Sequence, residues 1–255
     1  ISKPCGELEV RTPNGHNIFH FSMEPLEDNV YETIERGELP EVRFKKKVED
    51  VWKKLSGLGI SNEEARQYRE IYKGNVFEDR TRGIVLLGEI IDSIMDGWKL
   101  VVDGGPLAKE PLMKSKLILH DIRIHVDHMH RGPAQVYPAV RLGMFECMKK
   151  CGPAILEPIQ THMIEAPIEF MGAVTQLVGS KRGVLINVEQ RESEVFIKAK
   201  IPVAEMIGWS NDLRSATEGR GVSSLMDQTF QKLPSNLQYG VIRKIRDRKG
   251  LAEHQ

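Results

Sequence analysis

Four side chains able to bind a metal or transfer protons lie close together in the chain: His125, Asp127, His128 and His130. Imidazole and carboxylate groups are common ligands of zinc and related divalent metals. On a strand, however, His125 and Asp127 project from one side and His128 from the other, so a compact site would need ligands from elsewhere in the fold. A metalloenzyme is therefore one hypothesis for this chain, and a solvated strand end is the favoured interpretation.

The three cysteines do not form a recognisable nucleophilic site. Cys147 and Cys151 are four residues apart in a helical pattern, and neither thiol has an assigned base. Together with Cys5 they make an odd number, which favours reduced thiols over a disulfide framework. We expect buried, unreactive thiols in a reducing, cytoplasmic setting.

The two common nucleotide-binding signatures are absent from the chain. It contains neither G-x-x-x-x-G-K-[ST] nor G-x-G-x-x-G, the glycine-rich loops that bring backbone N–H groups to phosphates. We therefore predict no cofactor in this chain and no binding of GTP or ATP by these routes.

One segment has part of an RNA-binding signature. Residues 181–188 begin with Lys181 and Arg182, like the central strand of the RNA-recognition motif. The aromatic residues that would stack on bases are missing, which makes a base-reading sheet a weak hypothesis. Further basic clusters occur at 45–54, at 149–150 and in the last helix. Solvated helix faces are the favoured interpretation, and salt-sensitive docking onto RNA is the alternative.

The candidate histidines are expected to lie between a strand and a helix. Apolar residues alternate over 118–126, which predicts a half-buried strand with His120 on the apolar side. Pro138 suits the first turn of a following helix that ends before Gly152. His130 is therefore predicted to lie in a strand-to-helix loop.

A hairpin and three helices are predicted for the rest of the first half. Residues 7–12 and 18–23 alternate on either side of a turn at 13–17, which predicts a hairpin with an exposed tip. Apolar spacing and capping residues predict helices at 42–55, 61–72 and 87–102.

The second half has the order β-α-β-β-α-β, which is typical of a ferredoxin-like domain. Its predicted elements are strands at 157–164, 184–188, 195–201 and 223–230 and helices at 168–178 and 204–215. A last helix is predicted at 235–249, with an apolar stripe formed by Leu237, Val241 and Ile245. A composition shift near Gly152 divides the chain into predicted domains at 1–152 and 153–233, followed by a helical segment at 234–255.

Composition limits the class of protein. A length of 255 residues suits two modest domains. The 36 basic residues are balanced by 36 acidic residues, which excludes a uniformly basic nucleic-acid binder. No apolar run approaches the length of a membrane span. Because the chain begins at Ile1 without Met, we expect it to be a piece of a longer polypeptide.

The segment 127–135 resembles the diphthamide loop of the elongation factor 2 family. The eukaryotic form reads Asp-x-x-His-Arg-Gly-Gly-Gly-Gln, and this chain has Pro133 and Ala134 in place of the second and third glycines, an archaeal-looking variant. Residues 12–17 (TPNGHN) resemble the family's Ser-Pro-Asn-Lys-His-Asn tip loop. Residues 156–159 and 212–217 (DLRSAT) are similar to segments of its domain V.

This resemblance implies the carboxy-terminal part of a translational GTPase, domains IV and V. The implied fold class is α+β: a ribosomal protein S5 domain 2-like domain, then a ferredoxin-like domain, with the C-terminal helix packing back on the first domain. The G domain, with its GTP and Mg, would lie outside this chain. The chain itself is then not expected to be an enzyme.

The resemblance also implies the site. His130 matches the histidine that is modified to diphthamide and that diphtheria-type toxins ADP-ribosylate. The residues expected to contact the ribosome are Pro13, Asn14, Gly15, His16, Asn17, His130, Arg131, Gly132 and Gln135. We expect an accessible His130 ring, in contrast to a buried His120, and an Arg131 side chain able to pair with phosphate. No catalytic or metal-binding residue is implied.

The implied partners are the ribosome, through its decoding-site and GTPase-associated regions, together with tRNA, mRNA and the diphthamide biosynthesis enzymes. A cytoplasmic monomer without membrane contact is expected. The alternative from a different class is a stand-alone RNA-associated scaffold protein with a ferredoxin-like module, and a G domain encoded upstream would separate the two.

Overall fold

The computed structural model describes residues 1–44 and 48–251. The chain divides into two compact units, and each has its own sheet. Unit 1 contains Ile1–Ala154 and Gly240–Gln255, and unit 2 contains Ile155–Tyr239. Both combine helices with strands, so the α+β class is confirmed.

In its described residues unit 1 has five strands and five α-helices, together with the end of α8. Its strands are β1 Leu8–Arg11, β2 Ile18–Pro25, β3 Tyr68–Tyr72, β4 Asn75–Asp79 and β5 Ser115–Arg123. Its helices are α1 Asp28–Glu35, α2 Glu49–Gly57, α3 Asn62–Gln67, α4 Leu87–Asp103 and α5 Pro133–Cys151.

The sheet of unit 1 has the order β1-β2-β5-β4-β3 and is mixed, because β4 and β5 run parallel. Helices α4 and α5 pack on it over a core that includes Phe19, Phe21 and Trp98. The two helices approach closely at Gly97, where an added Cβ would lie 3.3 Å from Val140. This contact gives a reason for a glycine within α4.

Part of the predicted helix at 61–72 is wrong. Ser61 does cap α3 by accepting a hydrogen bond from Glu64 N–H, but the helix ends at Gln67. Residues Tyr68–Tyr72 form β3, which pairs with β4 and buries Tyr68 and Ile71. Pairing with β4, a strand that the periodicity does not predict, decides the conformation here.

The helix predicted at 42–55 begins later than expected, at Glu49. Arg43 instead forms an isolated bridge with Glu70. The lysines at positions 45–47, which the prediction assigned to the basic face of this helix, lie outside the described residues. Helix α1 was not predicted.

The segment around His130 differs from prediction at both ends. Strand β5 ends at Arg123, three residues before the predicted end. Helix α5 begins at Pro133, so Pro138 lies inside it and not in its first turn. Pro133 suits this start because the first helical residues have no intrahelical acceptor for their N–H groups.

Unit 2 has the predicted order β-α-β-β-α-β. Its elements are β6 Leu156–Pro167, α6 Met171–Ser180, β7 Val184–Arg191, β8 Glu194–Pro202, α7 Trp209–Ala216 and β9 Val222–Lys232. All strand pairs are antiparallel, in the order β7-β8-β6-β9. Buried residues of β6 and β8 pack with α6 and α7, including Ile164, Ile197 and Trp209.

The last helix, α8, spans Ser235–Arg248. Its predicted apolar stripe at Leu237, Val241 and Ile245 is half-buried and not fully buried. Polar groups fix its end within unit 1: the Arg246 guanidinium donates to the Leu107 carbonyl at 2.8 Å, and Lys249 Nζ donates to the Lys109 carbonyl at 2.7 Å. The contact of this helix therefore depends on charged side chains as well as on apolar area.

None of the helices in the described part of the chain is long and apolar enough to cross a membrane.

Candidate functional site

The hairpin loop between β1 and β2 is held by its own polar groups. Gly15 N–H donates to the Thr12 carbonyl at 2.7 Å, and Asn17 N–H donates to the Thr12 hydroxyl at 3.0 Å. Asn14 Oδ1 accepts from the same hydroxyl and from His16 N–H. Gly15 has a φ of +73°, in the region where a residue with a Cβ is strained. The loop therefore has a defined shape.

Asn17 connects this hairpin loop to the segment that carries His130. Its side chain is fully buried. Nδ2 donates to the His130 carbonyl at 2.7 Å, and Oδ1 accepts from His125 N–H at 3.0 Å. Asn14 N–H provides a second connection by donating to Gln135 Oε1 at 3.0 Å. We call residues 12–17 and 124–135, which these bonds join, the tip.

Three imidazole rings meet at the tip. The rings of His16 and His130 lie 4.2 Å apart between centroids and are tilted by 33°. His125 lies 4.7 Å from His130 and 4.8 Å from His16 and meets both rings edge-on. The His125 Nδ1 atom accepts from Asp127 N–H at 3.1 Å. That bond requires an unprotonated Nδ1, so the proton of neutral His125 is on Nε2.

A short 3-10 turn presents His130. It spans His128–His130, and Asp127 caps it by accepting a hydrogen bond from Met129 N–H at 3.0 Å. This backbone hydrogen bond lowers the pKa of Asp127, with smaller contributions from the neighbouring histidines. Asp127 is therefore a capping residue in this structure, since its carboxylate stabilises the turn that precedes α5.

Arg131 is engaged within the protein. Its side chain is buried, with Nη1 3.0 Å from Glu89 Oε2 on α4 and Nη2 donating to the Val126 carbonyl at 3.1 Å. The predicted phosphate contact of Arg131 would require it to leave Glu89. Sequence reasoning did not identify Glu89, because nothing in the chain around it signals a partner 42 residues away.

The predicted site residues differ in exposure. Pro13, Gly15 and His16 are exposed, Asn14, His130, Gly132 and Gln135 are half-buried, and Asn17 and Arg131 are buried. Asn17 thus faces the protein interior, although the sequence suggested an RNA contact. Gly132 has an extended backbone conformation, with a φ of −67°, which residues with a Cβ also adopt.

The expected contrast between His130 and His120 is wrong, because both are half-buried. His120 Nε2 lies 2.6 Å from the Ser22 hydroxyl. Burial lowers the pKa of His120. Its place on β5 does not bring it into the core.

In the described residues, one set of three carboxylates has oxygen atoms close enough to one another to hold a metal ion: those of Glu24, Glu64 and Glu78. The Lys116 ammonium group supplies the positive charge at these carboxylates, with Nζ 2.6 Å from Glu64 and 2.8 Å from Glu24. The metalloenzyme hypothesis relied on His125, Asp127, His128 and His130. These residues do not bring three donor atoms within 4.8 Å of one another.

Two family models match consecutive parts of the chain. The model of elongation factor G domain IV matches residues 40–152, and that of the elongation factor G C-terminus matches residues 154–241. The chain is 43% identical over 251 residues to elongation factor 2 of Thermococcus onnurineus. It is 43% identical over 255 residues to that of Nanoarchaeum equitans and 44% identical over 251 residues to that of Pyrococcus furiosus. Each alignment covers 98% of this chain.

The chain belongs to the elongation factor 2 family. It spans 34% of the length of the relatives named above, and its matched regions correspond to domain IV and the carboxy-terminal domain of elongation factors of this type. The loop that carries His130 lies within the domain IV match.

The segment that suggested an RNA-recognition motif is not a free basic surface in this elongation factor 2 family member. Lys181 Nζ lies 2.8 Å from Asp212, and Arg182 pairs with both Glu157 and Glu205 at 2.9 Å. The hydrogen bond to Glu157, and to a smaller extent the one to Glu205, raises the pKa of the Arg182 guanidinium. The two basic side chains are thus paired within unit 2.

Proposed function

We propose that this chain is the ribosome-contacting part of an elongation factor 2, which as a whole promotes GTP-dependent translocation of tRNA and mRNA. Family membership and the consecutive domain IV and C-terminal matches support this proposal. GTP and Mg would be bound by the remainder of the parent protein. Its place of action would be the cytoplasm, and the chain would act as a monomer.

In finer terms, we propose that unit 1 is ribosomal protein S5 domain 2-like and unit 2 ferredoxin-like. The strand order β7-β8-β6-β9 and the β-α-β-β-α-β sequence of elements support the second assignment. Unit 1 would approach the decoding-site region, and unit 2 the GTPase-associated region.

His130 is the proposed acceptor of the diphthamide modification. The observation that carries this proposal is the coincidence of motif and geometry. The motif at 127–135 contains the capped turn His128–His130 and the start of α5, and the exposed residues Pro13, Gly15 and His16 lie in the hairpin loop that is hydrogen-bonded to it. Such a loop on a rigid scaffold is a common location for functional residues.

The test replaces the corresponding third of Pyrococcus furiosus elongation factor 2 with this chain. Translocation is then measured in a reconstituted archaeal translation system. The chimera should support translocation, whereas the same chimera with His130→Ala should be impaired in rate or reading-frame accuracy and should still bind GTP. A chimera that hydrolyses GTP on ribosomes but does not translocate would contradict the proposed function.

A further inference from the structure

The three-ring contact at the tip joins residues that are more than a hundred positions apart in sequence. We propose that the enzyme that first modifies His130 recognises a surface built from both loops, with the exposed ring of His16 as part of its docking site and Asn17 as the positioning residue. This inference rests on the proposed function of His130 as the modified residue.

The ring of His130 is not freely presented. It is half-buried, with His16 tilted over it at 4.2 Å and His125 edge-on at 4.7 Å. His16 is the exposed member of this group. An enzyme that reaches the His130 ring on the side covered by His16 therefore contacts His16 or displaces it.

Asn17 fixes the backbone that carries this ring. Its amide group donates to the His130 carbonyl and accepts from His125 N–H, so one buried side chain sets the separation of two of the three histidines. Gln135 bonds to Asn14 N–H at the other side of the loop. Because a buried polar group that loses its hydrogen bond costs free energy, the two loops are expected to stay together when the enzyme docks.

A linear recognition mode makes a different prediction. An enzyme that reads only the sequence around His130 would contact His128, whose side chain is 83% exposed and which is two residues away. An enzyme that reads the composite surface would depend on His16, which is 114 positions away in the chain but touches the target ring. His128→Ala is thus a matched control for His16→Ala.

The experiment incubates the full 255-residue chain with active archaeal diphthamide-pathway enzymes and S-adenosylmethionine. The elongation factor 2 native to the source of the enzymes is the positive control. Intact mass gives the rate of addition, and peptide sequencing gives its position. Circular dichroism and the thermal midpoint establish that each variant is folded.

We expect His16→Ala to slow addition at His130 by about ten-fold or more, whereas His128→Ala changes the rate by less than about two-fold. Asn17→Asp retains the acceptor for His125 N–H but replaces the donor to the His130 carbonyl by an oxygen. It should slow addition similarly, and a shift of the His130 ring signals in NMR spectra should accompany the loss.

The outcomes separate the two levels of the proposal. Modification of the positive control but not of the unchanged chain would overturn His130 as the acceptor. Modification of the unchanged chain together with an unaltered or faster rate in His16→Ala would overturn only the composite surface. A strong effect of His128→Ala without one of His16→Ala would favour linear recognition instead.

Discussion

Lys116 on β5 is a buried cation on which the stability of unit 1 is expected to depend. Its side chain is 1% exposed, and its Nζ atom lies 2.6 Å from Glu64, 2.8 Å from Glu24, 3.2 Å from Glu27 and 3.9 Å from Glu78. Burial alone would lower the pKa of Lys116, but Tyr68 and the hydrogen bonds to Glu24 and Glu64 raise it overall. Lys116→Met would leave these carboxylates without their shared cation.

The expected magnitude follows from exposure. Removal of one partner from a buried ion pair typically costs about 3–5 kcal/mol. Glu24 and Glu27 are 33% and 40% exposed, so water screens part of the remaining repulsion, and we expect about 3 kcal/mol, near the lower end of that range. The neighbouring pair of Lys114 and Asp28, at 3.2 Å, has an Asp28 side chain that is 82% exposed. Lys114→Met should therefore cost less than about 1 kcal/mol.

Urea unfolding at pH 7 measures both variants. Two tryptophans, Trp52 and Trp98, lie in unit 1, and a Trp209→Phe background makes fluorescence report that unit. In Lys116→Met, millimolar Ca²⁺ should recover part of the loss, because donor atoms of Glu24, Glu64 and Glu78 lie within 4.8 Å of one another. A loss in Lys116→Met no larger than that in Lys114→Met would refute this reasoning.

Burial lowers the pKa of His162 in the folded chain, so the unfolded chain protonates His162 more readily. The free energy of unfolding of unit 2 should therefore fall as the pH drops through about 6.5. Trp209 fluorescence reports this unit, and an unchanged pH slope in His162→Gln would contradict the assignment. Gly143→Ala would bring a Cβ to 2.8 Å from the Phe21 ring and should cost about 1–3 kcal/mol in urea unfolding. Gly88→Ala, with no atom within 4 Å of the added Cβ, is the control and should change stability little; equal effects would refute the packing argument. Calorimetry should detect no GTP binding by this chain, since it has no phosphate-binding loop, and micromolar affinity would contradict that expectation.

The sequence predicted those elements whose conformation depends mainly on residues near one another in the chain. Alternation and turn residues predicted the hairpin of β1 and β2, and helical spacing predicted α4 from Leu87. The segment Tyr68–Tyr72 was assigned to a helix because its apolar spacing fits one, but its conformation depends on pairing with β4. Such pairing is a property of the whole sheet and leaves no clear local signal.

The same distinction applies to the tip. The motif at 127–135 and the turn at 13–17 identified the two loops that carry the proposed site. The roles of Asn17 and Arg131 were not predictable, because each depends on a partner distant in sequence. Asn17 bonds to a carbonyl 113 positions away, and Arg131 pairs with Glu89 on another helix. Residue type suggested contacts with RNA for both, whereas tertiary structure uses both inside the protein.

These internal roles change how the tip would meet a ribosome under the proposed function. With Arg131 held by Glu89 and the Val126 carbonyl, the guanidinium is not presented to phosphate in this conformation. The exposed groups at the tip include the rings of His16 and His128, the loop at Pro13 and Gly15, and the Met129 side chain. Shape and ring contacts would then position the tip. Because Asn17 and Gln135 already fix the two loops to each other, docking would lose less conformational entropy than it would with separate loops.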